Sequence, residues 1–270
     1  MVNYSKVNEC RLCHSKKLQI IVDFGNIPLG NNLQIRKKNS LVADKFPLCL
    51  LKCKNCSHFQ LSAMVSPKLL YATNYSYLTG VAPSFISHFK KYAHWIEKKC
   101  NLNTKSKILD IGSNDGTCLK TFKKEKRLIL GVDPAKLPAI IANKNGITTI
   151  NSFFDHKLKN KIEKKYGKFN FITSHNVLAH VENIEDVFRS IYELLVPKGY
   201  FCFEVGYFLK VIENNFFDTI YHEHLDYHLA NPLVKFLKKI GFSIISIHQN
   251  KIQGGSLRIL CKKEKKVYIS

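Results

Sequence analysis

The sequence predicts an α/β protein in which a seven-stranded, doubly wound Rossmann-like sheet follows a small zinc-binding domain. Three observations carry this. Two Cys-x-x-Cys pairs, Cys10/Cys13 and Cys53/Cys56, lie in the first 60 residues. From about residue 105, strand-like and helix-like segments alternate to the end of the chain. The first of those strands runs into a glycine-containing loop, GSNDG, and the second ends in an acid, Asp133. A chain of 270 residues with 45% hydrophobic content can bury a core of this size. The organisation expected is a zinc-binding domain over 1–70, a helical linker and substrate-side segment over 71–104, and the nucleotide-binding domain over 105–270.

Each Cys-x-x-Cys pair can grip one tetrahedral metal from a tight turn, and two pairs supply four thiolates with no position left for water. Cys10, Cys13, Cys53 and Cys56 therefore predict a closed, structural zinc site. Cys49 is the competing ligand, set aside because Cys53 completes the motif. Residues 24–36, rich in Gly, Pro and Asn, read as an irregular excursion between the knuckles. His14 and His58 beside the cysteines read as surface residues. Cys100, Cys118, Cys202 and Cys261 read as small buried hydrophobes.

In the sheet, strands are expected at 107–112, 128–133, 148–154, 169–176, 199–207, 243–249 and 256–262. Helices are expected at 117–127, 135–145, 185–196 and 231–242, the last with Asn231 as its cap and Pro232 in its first turn. The final two strands are joined by a short glycine turn and should pair antiparallel.

A ligand of such a sheet lies at the carboxyl ends of its strands. Gly112 and Gly116 let the backbone approach it closely, but the spacing is not the GxGxxG of a pyrophosphate cradle. Asp110 precedes the loop, and Asp133 is placed to bind both ribose hydroxyls. Together these point to an adenosyl cofactor without pyrophosphate, S-adenosylmethionine, with Asn114 and Asn176 as further candidates on the loops. A packing turn and an NAD site are the alternatives.

The motifs ILDIGSNDGT, GVDPA, SFF, NVLAHVENIEDVF, FEV, FDTIYHEHLDY and GGSLR occur in that order behind the two Cys-x-x-Cys pairs. In this the chain resembles the zinc-containing, S-adenosylmethionine-dependent sugar C-methyltransferases, which methylate carbon 3 of nucleotide-linked 4-keto-deoxysugars. The resemblance runs from Cys10 to Arg258. It implies a class I methyltransferase domain behind the zinc domain, followed by a C-terminal Rossmann-like domain most of which this chain lacks.

Methylating carbon beside a ketone needs a base, a stabilised enolate oxygen and an aligned methyl donor. The resemblance implies that His224 is the general base. Tyr221 would position the sugar or donate to the enolate oxygen, and Glu223 would orient an imidazole or a sugar hydroxyl. His180 would polarise the ketone. Tyr75 and Tyr77 would reach the substrate from the zinc-domain side, and Arg258 would meet the diphosphate. A cross-strand or solvated Arg258 is the alternative at that position; metal binding by the HEH segment with Asp226 and His228 is the weaker alternative, since its spacing matches neither HExxH nor a Cys-x-x-Cys clip.

The net charge of +22 favours an anionic partner, such as a sugar nucleotide. Only five of the 42 basic residues are Arg, the usual reader of bases and phosphates, so nucleic acid is the weaker expectation. With no apolar run of membrane length and no secretory leader, a cytoplasmic protein without membrane contact is expected. Two rival functions remain: a non-catalytic remnant, or half of a split enzyme completed by a separate C-terminal-domain chain, and an RNA-binding methyltransferase.

Overall fold

The computed structural model describes residues 4–30, 36, 39, 43–71 and 78–264. Its largest layer is a seven-stranded sheet of β6 (Ile108–Ile111), β7 (Ile129–Asp133), β8 (Thr149–Asn151), β9 (Phe169–His175), β10 (Leu195–Gly206), β12 (Phe242–Asn250) and β13 (Ser256–Lys263). The spatial order is β12-β13-β10-β9-β6-β7-β8. β6 pairs parallel with β7 and β9, β7 with β8, and β9 with β10. β13 is antiparallel to both β10 and β12, as the short turn before it requires. The chain leaves β6 toward one edge and returns through β9 toward the other, so the switch point lies between these two strands.

Alternation along each strand sends side chains to two helical layers. Ile108, Phe171, Cys202 and Leu260 meet α2 (Pro83–Cys100), α3 (Thr117–Phe122) and α4 (Lys136–Lys144). Leu109, Ile172, Phe203 and Ile259 meet α5 (His156–Tyr166), α6 (Ile184–Leu194) and α8 (Ala230–Ile240). Local capping agrees with the packing. The Asp155 side chain accepts from Leu158 N at 2.7 Å and starts α5, and Asn183 accepts from Asp186 N at 3.0 Å and starts α6.

Of the differences from expectation, three have a clear local cause. α3 stops at Phe122 because Arg127, buried beyond it, donates to Phe122 O, Asn103 O and Glu97 and so holds the chain in a turn. α8 begins at Ala230 behind Leu229, so Asn231 lies inside the first turn and does not cap it. Residues 24–28 are not irregular: they belong to β2 (Leu18–Pro28), where register shifts between Ile20/Val22 and Asp23/Asn26 absorb the glycine and asparagine.

The N-terminal part is a second sheet of order β11-β4-β3-β2, with β3 (Lys45–Cys53) and β4 (Phe59–Leu61). Its fourth strand, β11 (Asp226–Tyr227), comes from the far end of the sequence and pairs with Gln60 and Phe59. β1 (Tyr4–Lys6) and β5 (Ala63–Val65) form a separate ribbon, with α1 (Pro67–Tyr71) after it. α7 (Phe208–Glu213) packs Phe208 against Tyr227 and Leu61, closing a small core under the N-terminal sheet. Among the described residues, no helix is long and apolar enough to cross a membrane.

Candidate active site

β6 ends in a loop where Gly112, Asn114 and Gly116 have positive φ of 74°, 50° and 79°. At Gly112 a Cβ would sit 2.0 Å from Val177 Cγ2, so only glycine lets this loop lie against the one after β9. The two oxygens of Asp133 accept from Asn114 N (2.7 Å) and Ala135 N (2.8 Å), tying the loops after β6 and β7 together. Asn114 Oδ1 and Asp115 Oδ2 turn the other way, accepting from Thr79 N at 2.9 Å and Gly80 N at 2.8 Å.

Above these strand ends lies a cleft of about 1530 Å³. Asp110, Gly112, Asn114, Asp133 and Asn176 line one part of it, His180, Tyr221, Glu223 and His224 a second, and Tyr4, Asn8, Arg11 and Met64 a third. Nine residues predicted from sequence thus meet in one cavity. Gly116 does not line it: it starts α3, where a Cβ would press on Ile147 at 3.0 Å. Arg258 is not at the cleft wall either. It lies opposite Glu204 in the β10–β13 register, its Nε donates to Glu204 Oε1 at 2.6 Å, and its guanidinium rests on the Tyr92 and Trp95 rings. Tyr75 and Tyr77 lie outside the described residues.

His224 and His180 are each oriented by a backbone carbonyl. His224 Nδ1–H donates to Thr219 O at 2.9 Å, which leaves Nε2 as a base with the Tyr221 hydroxyl 3.4 Å away. His180 Nδ1–H donates to Glu223 O at 2.8 Å, and the His180 and His224 ring centroids are 4.9 Å apart. Burial lowers the pKa of both, and the neighbouring His224 adds to it at His180, which falls to about 3. Both imidazoles are therefore neutral near pH 7. Burial, reinforced by repulsion from Asp133, raises Asp110 well above the usual carboxylate range, and its Oδ1 is buried with no partner in the protein. Burial raises Asp133 as well, against its two backbone N–H bonds.

Several site residues carried no sequence signal of their own. His175 ends β9 at the cleft wall and donates from Nδ1 to Glu204 Oε2 at 3.0 Å. Glu204 also accepts from His88 Nε2 (2.8 Å), Asn250 Nδ2 (3.1 Å) and Arg258. Arg11 and Asp226 form a third group. Arg11 donates from Nε and Nη2 to the two Asp226 oxygens at 2.9 and 3.0 Å. His58 Nε2 donates to Asp226 Oδ1 at 2.8 Å. His58 is completely buried by this bond and is not the surface residue its position suggested, whereas His14 is exposed between Glu9 and Glu185. Burial alone would raise Asp226, but Arg11 and His58 outweigh it and hold the carboxylate ionised.

The sulfur atoms of Cys10, Cys13, Cys53 and Cys56 all lie within 4.8 Å of one another. Cys10 and Cys56 are 3.5 Å apart, and Cys13 and Cys53 are 3.6 Å apart. Tetrahedral zinc with Zn–S near 2.3 Å needs S···S of about 3.8 Å, so the four thiolates fit that ion and fill its coordination. Cys49 lies outside the cluster, on β3 opposite Asp23. The cleft fits S-adenosylmethionine on its own chemistry: a buried carboxyl, Asp110, with one oxygen left without a partner, an acid at the second strand tip and the exposed Phe153 ring in the same lining.

A methyltransferase domain family matches residues 85–247, and a zinc binding domain family matches residues 10–71. The C-methyltransferase NovU of Streptomyces niveus is 30% identical over 93% of this chain, and the chain spans 60% of NovU's length. The ubiquinone biosynthesis O-methyltransferase of Pasteurella multocida is 25% identical over 40% of this chain and half of its own length. An S-adenosylmethionine-dependent methyltransferase from Clostridium acetobutylicum superposes with a TM-score of 0.51 at 15% identity, covering 66% of this chain and 92% of that one. The plantazolicin methyltransferase BamL gives 0.52 at 14%, covering 67% and 84%. These two structures share the fold. With the sheet order, the cleft and the four-cysteine cluster, the matches establish that this chain belongs to the S-adenosylmethionine-dependent methyltransferases, as a member with a zinc-binding domain ahead of the catalytic sheet.

Proposed function

We propose that the chain methylates a carbon atom next to the ketone of a nucleotide-diphosphate 4-keto-deoxysugar. The observation that carries this is the pair of neutral, half-buried imidazoles, His180 and His224, on the same cleft as the cofactor residues. Transfer to oxygen or nitrogen can use a lone pair already present, but carbon must first lose a proton. The neutral His224 ring, with Nδ1 pinned to Thr219 O and Nε2 beside the Tyr221 hydroxyl as the base, suits that step.

In this reading His224 Nε2 takes the proton from the carbon beside the ketone, and the electron pair moves into the carbonyl as an enolate. The Tyr221 hydroxyl donates to the enolate oxygen. His180, neutral and with its Nδ1–H given to Glu223 O, has no proton left to polarise that carbonyl, so it does not take the role expected for it and packs beside the His224 ring. Glu223 holds a sugar hydroxyl. Asp110 would take the cofactor's ammonium group, Asp133 its ribose hydroxyls, and the backbone around Gly112 and Asn176 its remaining edges. Bound S-adenosylmethionine supplies the electrophilic methyl group that the enolate carbon accepts. A cleft of about 1530 Å³ has room for both molecules, since a single small-ligand site is about 300–1,000 Å³. NovU, a C-methyltransferase by name, supports the choice of carbon.

The test is methyl transfer from labelled cofactor to a panel of nucleotide-linked 4-ketosugars, with the product read by mass spectrometry. Deuterium uptake from solvent next to the ketone is followed in parallel. Methyl gain and deuterium uptake, both lost in His224→Ala, are expected. A zinc-loaded, cofactor-binding chain that does neither would overturn the proposal.

A further inference from the structure

Arg11 sits inside the first zinc knuckle, between Cys10 and Cys13, yet its side chain reaches away from the metal site. The guanidinium is 7% exposed and meets two separate loops. It grips both Asp226 oxygens, two residues after His224. It also donates from Nη2 to Val181 O at 2.6 Å and from Nη1 to Glu182 O at 3.0 Å, immediately after His180. The same two loops are bonded to each other: Leu225 N donates to Ala179 O at 2.7 Å, and His180 Nδ1–H donates to Glu223 O. The backbone of Arg11 is fixed in turn, donating to Gln60 Oε1 at 2.8 Å, and Gln60 lies opposite Asp226 in the β4–β11 pairing.

Four directed N–H bonds from one planar cation, two to the Asp226 carboxylate and two to neighbouring carbonyls on the loop after His180, fix both position and orientation. From this geometry we infer that Arg11 is a positioning residue for the His180–His224 pair, and that the zinc knuckle serves the reaction by holding that guanidinium. The inference rests on the function proposed above for those histidines. The knuckle contributes no atom to the chemistry. It sets the distance and angle between two loops whose histidines meet across the cleft.

The experiment compares wild type with Arg11→Met and Arg11→Lys, each loaded with zinc. Arg11→Lys retains a cation for Asp226 but cannot span the carboxylate and both carbonyls. Imidazole nitrogen NMR reads the tautomers of His180 and His224 without any sugar substrate, so it stands even if the substrate is another one. Wild type is expected to show both rings fixed as the Nδ1–H form. Both variants are expected to retain one zinc and bind S-adenosylmethionine within about twofold of wild type, while the two rings lose their fixed tautomer. With a substrate, kcat should fall roughly 10- to 100-fold with little change in KM, as misplacement of reacting groups does. Unchanged imidazole signals and kcat in either folded, zinc-bearing variant would overturn the inference. If Arg11→Met fails to fold, Arg11→Lys decides alone.

Discussion

His224 divides its nitrogens between two jobs, and that division fixes the sign of its pH response. Nδ1–H is committed to Thr219 O, and burial lowers the ring's pKa below the ordinary 6.5. Only the neutral ring accepts a proton, so the acid limb of kcat/KM should fall below pH 6.5, with activity rising as pH rises through it. His180, near 3, stays neutral across that limb and adds no second ionisation. A limb above 6.5 in a pH-rate series would remove His224 from the role. His224→Ala should lower kcat by about 10²–10⁴-fold, the usual share of a general base. At this scale the sequence was legible where a residue lay on a strand tip or within YHEH. It was illegible where the partner was remote: nothing near Arg258 announces Glu204, and nothing near His58 announces Asp226, 168 positions away.

The seven strands were readable because each carries a short apolar run bounded by turn residues, and the antiparallel last pair followed from its short turn. The N-terminal strands were not, since β2 has Gly and Asn within it and is largely exposed, which hides its alternation. Two predictions belong to elements. Gly112→Ala must move the loop after β9, because the added carbon meets Val177, and isothermal titration should show cofactor affinity falling at least about tenfold. Glu204, on β10, joins α2, β9, β12 and β13 through His88, His175, Asn250 and Arg258. Burial would raise its pKa, but the two histidine bonds and Arg258 outweigh it and lower it well below 4.5. Its contribution to stability is therefore complete above pH 4.5 and is lost as pH falls toward the lowered value. Glu204→Leu leaves Arg258 buried without its anion and should cost about 3 kcal/mol at neutral pH. Denaturant unfolding at a series of pH values should show that difference shrinking below pH 4.5.

Across the whole molecule, the four-cysteine site, the N-terminal sheet and the loops that carry His180 and His224 form one connected unit. Cys10, Cys53 and Leu12 belong to the same apolar core as α6 and β10, and β11 completes the N-terminal sheet. Removing zinc with a chelator should therefore release hydrogen-exchange protection in β3, β4 and β11 together, while β6, β7 and β9 keep theirs. Loss confined to the knuckles would contradict this. The β4–β11 pairing also has a consequence for how the protein is made. Arg11 and His58 leave the ribosome long before Asp226, their only carboxylate partner among the described residues, from which Arg11 is separated by 215 positions. At roughly 5–20 residues per second, synthesis keeps that partner away for on the order of ten seconds or more. Through that interval the nascent N-terminal sheet lacks its fourth strand and carries an unpaired edge. Closing so long a loop is slow, which makes the catalytic cleft among the last features to assemble and its formation a check that the chain has been read through to Asp226.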